Sequence, residues 1–167
     1  MSQEGKILIT IKEFANKLPK LPDGRIDYHN SDTAPVVDVF VKYQDRILLL
    51  KRSDKVGTYQ GKWNCISGYL DEVKSIYQKA LEEIKEELDI DRDNVLSMRL
   101  GETYSFTDER IGKTYIVHPI LVELKNQPAI RLDFEHTEYR WIKPEELKDF
   151  DIVPNTDKGL EKVIHLV

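Results

Sequence analysis

Cysteine is nearly absent: Cys65 is the only one in 167 residues. A single thiol excludes an intramolecular disulfide and a thiolate metal cage, since both need several. Basic charge is not in excess either. The chain has 25 Lys and Arg against 30 Asp and Glu, a formal net charge of −5. That balance argues against non-specific binding to a nucleic-acid polymer, whose phosphates need Lys and Arg in surplus. It leaves room for a small anionic substrate if a divalent cation supplies positive charge locally. Long apolar runs are also missing. The opening MSQEGKILITIKEF lacks the basic flank and apolar stretch of a secretory signal, and no segment nears membrane-spanning length. The expectation is a cytosolic protein with no membrane partner.

What is present is a globular composition, 40% hydrophobic and 33% charged, in a length that suits one domain with a real core. Residues 6–11 (KILITI) predict a short N-terminal strand, followed by an arm with Pro19, Pro22 and the turn signal Asp23-Gly24. Residues 34–43 and 46–51 predict a hairpin about Gln44-Asp45. A polar loop over 53–62 leads to a short extended piece over 63–70 containing Gly68. Further strands are expected over 96–107, 113–124 and 136–142, with a short helix from Pro144 and a C-terminal helix over 158–166. Strands before and after a central helix, with more helix at the end, imply an α/β fold with a mixed sheet and helices on its faces.

The central helix is predicted over 73–90, where Ile76, Tyr77, Ala80, Leu81, Ile84 and Leu88 recur at three- and four-residue steps. At about 100° per residue, Glu83, Glu86 and Glu87 share an arc of roughly 100° beside that apolar face. Like charges at this spacing repel, and a hard cation such as Mg2+ or Mn2+ between them would convert the repulsion into binding. The competing reading is an ordinary solvated Glu-rich face paired with Lys79 and Lys85.

The surroundings favour the cation. The segment GKWNCISGYLDEVKSIYQKALEEIKEELDI, residues 61–90, resembles the Nudix box of the MutT-like hydrolases with its usual lead-in. Gly68 matches the opening glycine, Glu83, Glu86 and Glu87 match the metal-binding glutamates, and Ile84 and Ile90 match the apolar positions. Lys51-Arg52, Gly61-x-Trp63 and a later Glu138-x-x-Trp141 agree with the same pattern. The resemblance spans about 35–165, so the chain divides into an N-terminal strand and arm over 1–34 and a Nudix domain over 35–167. Three positions depart from the pattern. Lys74 stands for the first glutamate, Glu82 for the arginine that normally steadies the carboxylates, and Asp89 for the late glycine. Lys79, one turn before Glu83, could return part of the missing positive charge.

The resemblance implies an α/β/α sandwich and Mg2+- or Mn2+-dependent cleavage of a nucleoside diphosphate linked to another moiety. Glu83, Glu86 and Glu87, with the Gly68 carbonyl, would hold metal. Glu135 is the first candidate for the general base and Glu138 the second, while His136 reads as a surface or structural residue. Arg52 could meet substrate phosphate, and Tyr59 and Trp63 could stack on a base. The structural alternatives are a surface arginine and a core tryptophan. Cys65 reads as a small buried filler. Two other functions compete: a Nudix-fold nucleotide-binding or regulatory protein, for which Lys74 and Glu82 speak, and an isoprenoid diphosphate isomerase, whose pattern matches poorly around Cys65. A homodimer is expected as a possibility from the family resemblance and from the N-terminal strand, which could pair across subunits.

Overall fold

The computed structural model describes residues 1–166. Helix α1 (Gln3–Lys17) precedes strands β1 (Thr33–Tyr43), β2 (Arg46–Arg52), β3 (Trp63–Asn64) and β4 (Ile66–Tyr69). Helix α2 (Ile76–Leu88) follows, then β5 (Val95–Leu100), β6 (Tyr104–Asp108), β7 (Lys113–Leu124), β8 (His136–Ile142) and α3 (Thr156–Val163), with 3-10 turns at Arg92–Asn94 and Pro144–Asp149. All eight strands join one mixed sheet. β1 and β7 run parallel at its centre, from Thr33 opposite Thr114 to Lys42 opposite Glu123.

A central strand must be apolar on both faces, and β1 is buried along almost its whole length. Val37, Val39 and Val41 point to the layer holding α1 and α2, while Val36 and Phe40 serve smaller cores on the opposite face. Asp38 falls on that second face by the same alternation. It is the one acidic residue inside the strand.

The N-terminal segment is the main departure from the sequence expectation. Residues 6–11 lie inside α1 and form no strand. Ile7 and Ile11, four residues apart, sink into the main core, whereas Ile9 is exposed. Ser2 caps the helix by accepting from the Gly5 N–H. The β-branched run favours a strand locally, but one apolar stripe against α2 outweighs that preference. The expected strand over 96–107 is divided into β5 and β6, both of which pair β7.

α2 begins at Ser75, whose hydroxyl accepts from the Tyr77 N–H, and ends at Asp89 in the left-handed conformation. Asp89 has φ 58° and donates its N–H back to the Ile84 and Lys85 carbonyls, a closure an aspartate tolerates without glycine. Among the described residues no helix is long and apolar enough to cross a membrane.

Candidate active site

Ile76, Ala80, Ile84 and Leu88 make the fully buried stripe of α2. Lys79, Glu83 and Glu87 repeat the same four-residue step on the adjacent flank, so a charged row runs along the edge of the helix that meets the sheet. Glu87 is the unusual member. Its side chain is only 4% exposed, and its Oε2 has no hydrogen-bond partner. Burial first, then the Glu135 carboxyl beside it and the charge of Glu83, pushes its carboxyl far above the usual carboxylate range. A buried lone carboxylate costs several kcal/mol unless a proton or cation joins it, in order-of-magnitude terms.

Glu83 lies one turn earlier, against Gly68 of β4. A Cβ at residue 68 would stand 3.0 Å from Glu83 Oε1, so a side chain here would push the carboxylate back by a few tenths of an ångström. Burial raises the Glu83 carboxyl, and Lys79, at 3.2 Å from Oε1, pulls it back in part. Glu86 is exposed on the solvent side and adds to the upward push on Glu83. Of the three expected glutamates, Glu87 is buried, Glu83 is half-buried one turn away and Glu86 is exposed beside them.

Glu135 arrives from a different element. The loop before β8 is pinned to the end of β2 by two hydrogen bonds, Ser53 N–H to the Glu135 carbonyl and Ser53 Oγ to the Phe134 carbonyl, both 2.8 Å. The β2–β8 register slips by one residue between Lys51 and Arg52, where the loop folds over. Carboxylate oxygens of Glu87 and Glu135 and a ring nitrogen of His136 consequently lie within 4.8 Å of one another. His136 is not a surface residue. Its Nδ1 is buried, 4.0 Å from Glu87 and 3.6 Å from Asp133, and burial pulls its pKa down against the charges of Asp133 and Glu135. Glu138, the second candidate base, is exposed and pairs with Lys51 at 3.4 Å, away from the cluster.

Two of the three unusual box positions, Lys74 and Glu82, face each other. Lys74 Nζ is 3.0 Å from Glu82 and 3.1 Å from Glu72, so the residues standing for the box glutamate and the box arginine pair with each other, with their charges the reverse of the pattern's. Lys79 takes the supporting role nearer the cluster. Its Nζ sits between Asp71 Oδ1 at 3.1 Å and Glu83 Oε1 at 3.2 Å. Burial works against its charge, but these two carboxylates outweigh the cost and raise its pKa.

Beside Gly68 opens a cavity of about 130 Å³, walled by Tyr59, Tyr69, Phe106 and Tyr115, with Asp38 and Asn64 among the polar lining. Arg52 lines its edge and donates to the Thr58 carbonyl at 3.0 Å. Tyr59 is held there by its hydroxyl, which donates to Asp108 at 2.7 Å. Asp38 accepts from Ser67 Oγ at 2.8 Å, and burial lifts its carboxyl to about 6 against that bond. Trp63 does not line the cavity. It packs edge-on against Phe150 in the core shared with Phe40 and Cys65, which excludes it from stacking on a base there. Asp38 had one sequence signal, a lone acid inside the apolar run PVVDVF. Asn64, Tyr69, Phe106 and Tyr115 had none.

A NUDIX domain model matches residues 32–163. Nucleoside triphosphatase NudI of Escherichia coli is 24% identical over 133 residues, covering 75% of this chain and 92% of that protein. Among solved structures, an Ap4A hydrolase of C. elegans, crystallised as a binary complex, superposes with a TM-score of 0.63 at 20% identity, over 80% of this chain and 96% of that one. The NUDIX domain of Shewanella oneidensis NrtR, complexed with ADP ribose, gives 0.67 at 14% identity, over 80% and 88%.

Proposed function

The chain belongs to the Nudix family of hydrolases, and on that premise we propose that it cleaves the diphosphate linkage of a nucleoside diphosphate bearing a further group, in a Mg2+- or Mn2+-dependent reaction. The observation that carries this reading is the buried Glu87 oxygen without a partner, set beside Glu83, Gly68 and Glu135. An all-oxygen donor set suits a hard divalent cation, and an orphaned carboxylate oxygen in a buried site is what such a cation would satisfy. Glu83, Glu86, Glu87 and the Gly68 carbonyl would hold it. When bound, it neutralises diphosphate oxygens and lowers the pKa of a water.

The remaining work falls to side chains. Glu135 would take the proton of the attacking water, since its carboxylate reaches Glu87 from a loop fixed at both Ser53 contacts. Arg52 would meet a phosphate at the rim between cluster and cavity. The aromatic walls would hold the base, with Asp38 as acceptor. The Asn64 amide NH2 would be the donor, because Asn64 Oδ1 is already engaged by the Cys65 N–H and Thr156 Oγ. NudI acts on nucleoside triphosphates and the NrtR domain holds ADP ribose by their names, which supports a nucleotide ligand and leaves its identity open. A cytosolic setting is part of this proposal. The reading as a binding protein was drawn from Lys74 and Glu82, and their mutual ion pair supports the hydrolase reading over it.

Glu135→Gln tests the assignment of the base. It should lower kcat by about 10²–10⁴-fold while Mn2+ affinity stays within a few-fold of the parent. A loss of Mn2+ affinity as large as the loss of kcat would make Glu135 a ligand and contradict its role as the base.

A further inference from the structure

We propose that Asp71 is a positioning residue for the metal-binding carboxylates, acting through Lys79, and that the N-terminal arm holds Asp71 in place. The inference rests on the metal site proposed above. Lys79 bridges from the box helix to the turn after Gly68 and also touches a proposed ligand. Both Lys79 and Asp71 are about nine-tenths buried, so the ammonium is weakly screened and its placement between two acids matters. With Asp71 at 3.1 Å and Glu83 at 3.2 Å, neither acid holds Lys79 alone. Glu83 is steadied without being closed into a private ion pair that a cation would have to break.

The arm fixes the other end of this arrangement. The Ile26 N–H donates to the Asp71 carbonyl at 2.7 Å, Tyr28 Oη donates to the Leu70 carbonyl at 2.7 Å, and Arg25 Nη1 lies 3.4 Å from Asp71 Oδ2. Those three residues precede residue 32, where the family match begins. Tyr28 is buried and stacks on Tyr69 at 5.4 Å, so the arm clamps residues 69–71 from one side while β1 pairs residues 66–69 from the other. A segment outside the matched domain thereby braces the turn whose first glycine touches Glu83. In this chain the box arginine position is spent on the exchanged Lys74–Glu82 pair, and Lys79 with Asp71 fills the gap.

The test is Mn2+ binding to the full chain, followed by the free-ion electron paramagnetic signal, alongside kcat and KM. Asp71→Asn keeps the shape but cannot balance Lys79, which should then shift toward Glu83 at 3.2 Å, the nearer of the two remaining acids, Glu72 standing at 4.0 Å. Mn2+ affinity should drop about tenfold, within the roughly 10–100-fold range for outer-shell partners. Saturating Mn2+ should restore most of kcat, with nucleotide KM little changed. Adding Lys79→Met removes the competing cation and should return Mn2+ affinity to within about threefold of the parent, since outer-shell effects on affinity run through the ligand they orient. A merely structural Asp71 would leave the double variant worse than the single one. If Asp71→Asn melts too low to assay, Tyr28→Phe, which frees the Leu70 carbonyl without altering charge, should still weaken Mn2+ by about twofold, the low end of a lost buried hydrogen bond. Parental affinity in whichever variant folds, or no relief in the double variant, overturns the inference. A parent that binds no Mn2+, or a Glu87→Gln variant that binds it equally well, instead contradicts the proposed metal site itself.

Discussion

Asp38 shows how one buried side chain can couple stability to pH. Burial raises its carboxyl from the usual 3.8 to about 6, so the folded state holds the proton more tightly than the unfolded chain. An acid raised in this way favours the fold below about pH 4, and that advantage is lost as pH climbs through about 6. Asp38→Asn keeps the bond from Ser67 and has no charge to desolvate. Its melting temperature should exceed the parent's above pH 6, by the equivalent of roughly 2–3 kcal/mol, and the gap should close near pH 4. A gap that is constant from pH 4 to 8 would show that Asp38 does not titrate in this window. The same substitution replaces an acceptor by an amide in the proposed base cavity and should change the ranking of nucleotides. The sequence announces this residue only as an acid among valines, with no hint of which cavity it faces. Trp63 and His136 make the converse point: their types suit a site, but only the packing against Phe150 and the slip in β2–β8 decide where they lie.

At the scale of elements, α2 is the most legible part of the chain because its signal is periodic and local. The apolar steps and the row of glutamates are readable from spacing, and the helix ends within three residues of expectation, its start moved from 73 to the Ser75 cap. α1 misleads because its local preference and its tertiary stripe disagree, and the stripe needs α2 as a partner to be recognised. The Glu135 loop is legible as a candidate but not as a contact, since residues 87 and 135 meet only through Ser53 and the bulge. Asp89 at the end of α2 offers a test of the departure from glycine. With φ 58° and an exposed pair to Lys85, Asp89→Gly should leave both turnover and stability nearly unchanged. Asp89→Val should cost about 1–2 kcal/mol by the left-handed backbone penalty. Thermal melting of the two variants checks this, and equal losses in both would mean that the Lys85 pair, and not the backbone, holds the helix end.

For the molecule as a whole, the net charge of −5 and the buried acidic cluster describe one design. In the proposed reaction a divalent cation at this edge of α2 would bring the positive charge that an anionic substrate needs. The cluster, the Gly68 turn and the aromatic cavity adjoin because β1 and β4 carry residues of the cavity while α2 packs beside them. Folding therefore concentrates unfavourable charge at the place where chemistry is proposed, as functional sites commonly do. The route to a homodimer through a shared N-terminal strand falls away, because that segment is a helix packed on its own domain.

The most direct measurement is phosphate release from a panel of nucleoside diphosphate derivatives, comparing the parent with Glu87→Gln in Mg2+ or Mn2+. Metal-dependent turnover should appear for at least one compound and fall by more than about 100-fold in the variant, since even outer-shell partners are worth 10–100-fold. Turnover that survives Glu87→Gln would contradict hydrolysis at this cluster. A parent that binds nucleotide and metal yet releases no phosphate from any member of the panel would contradict it equally.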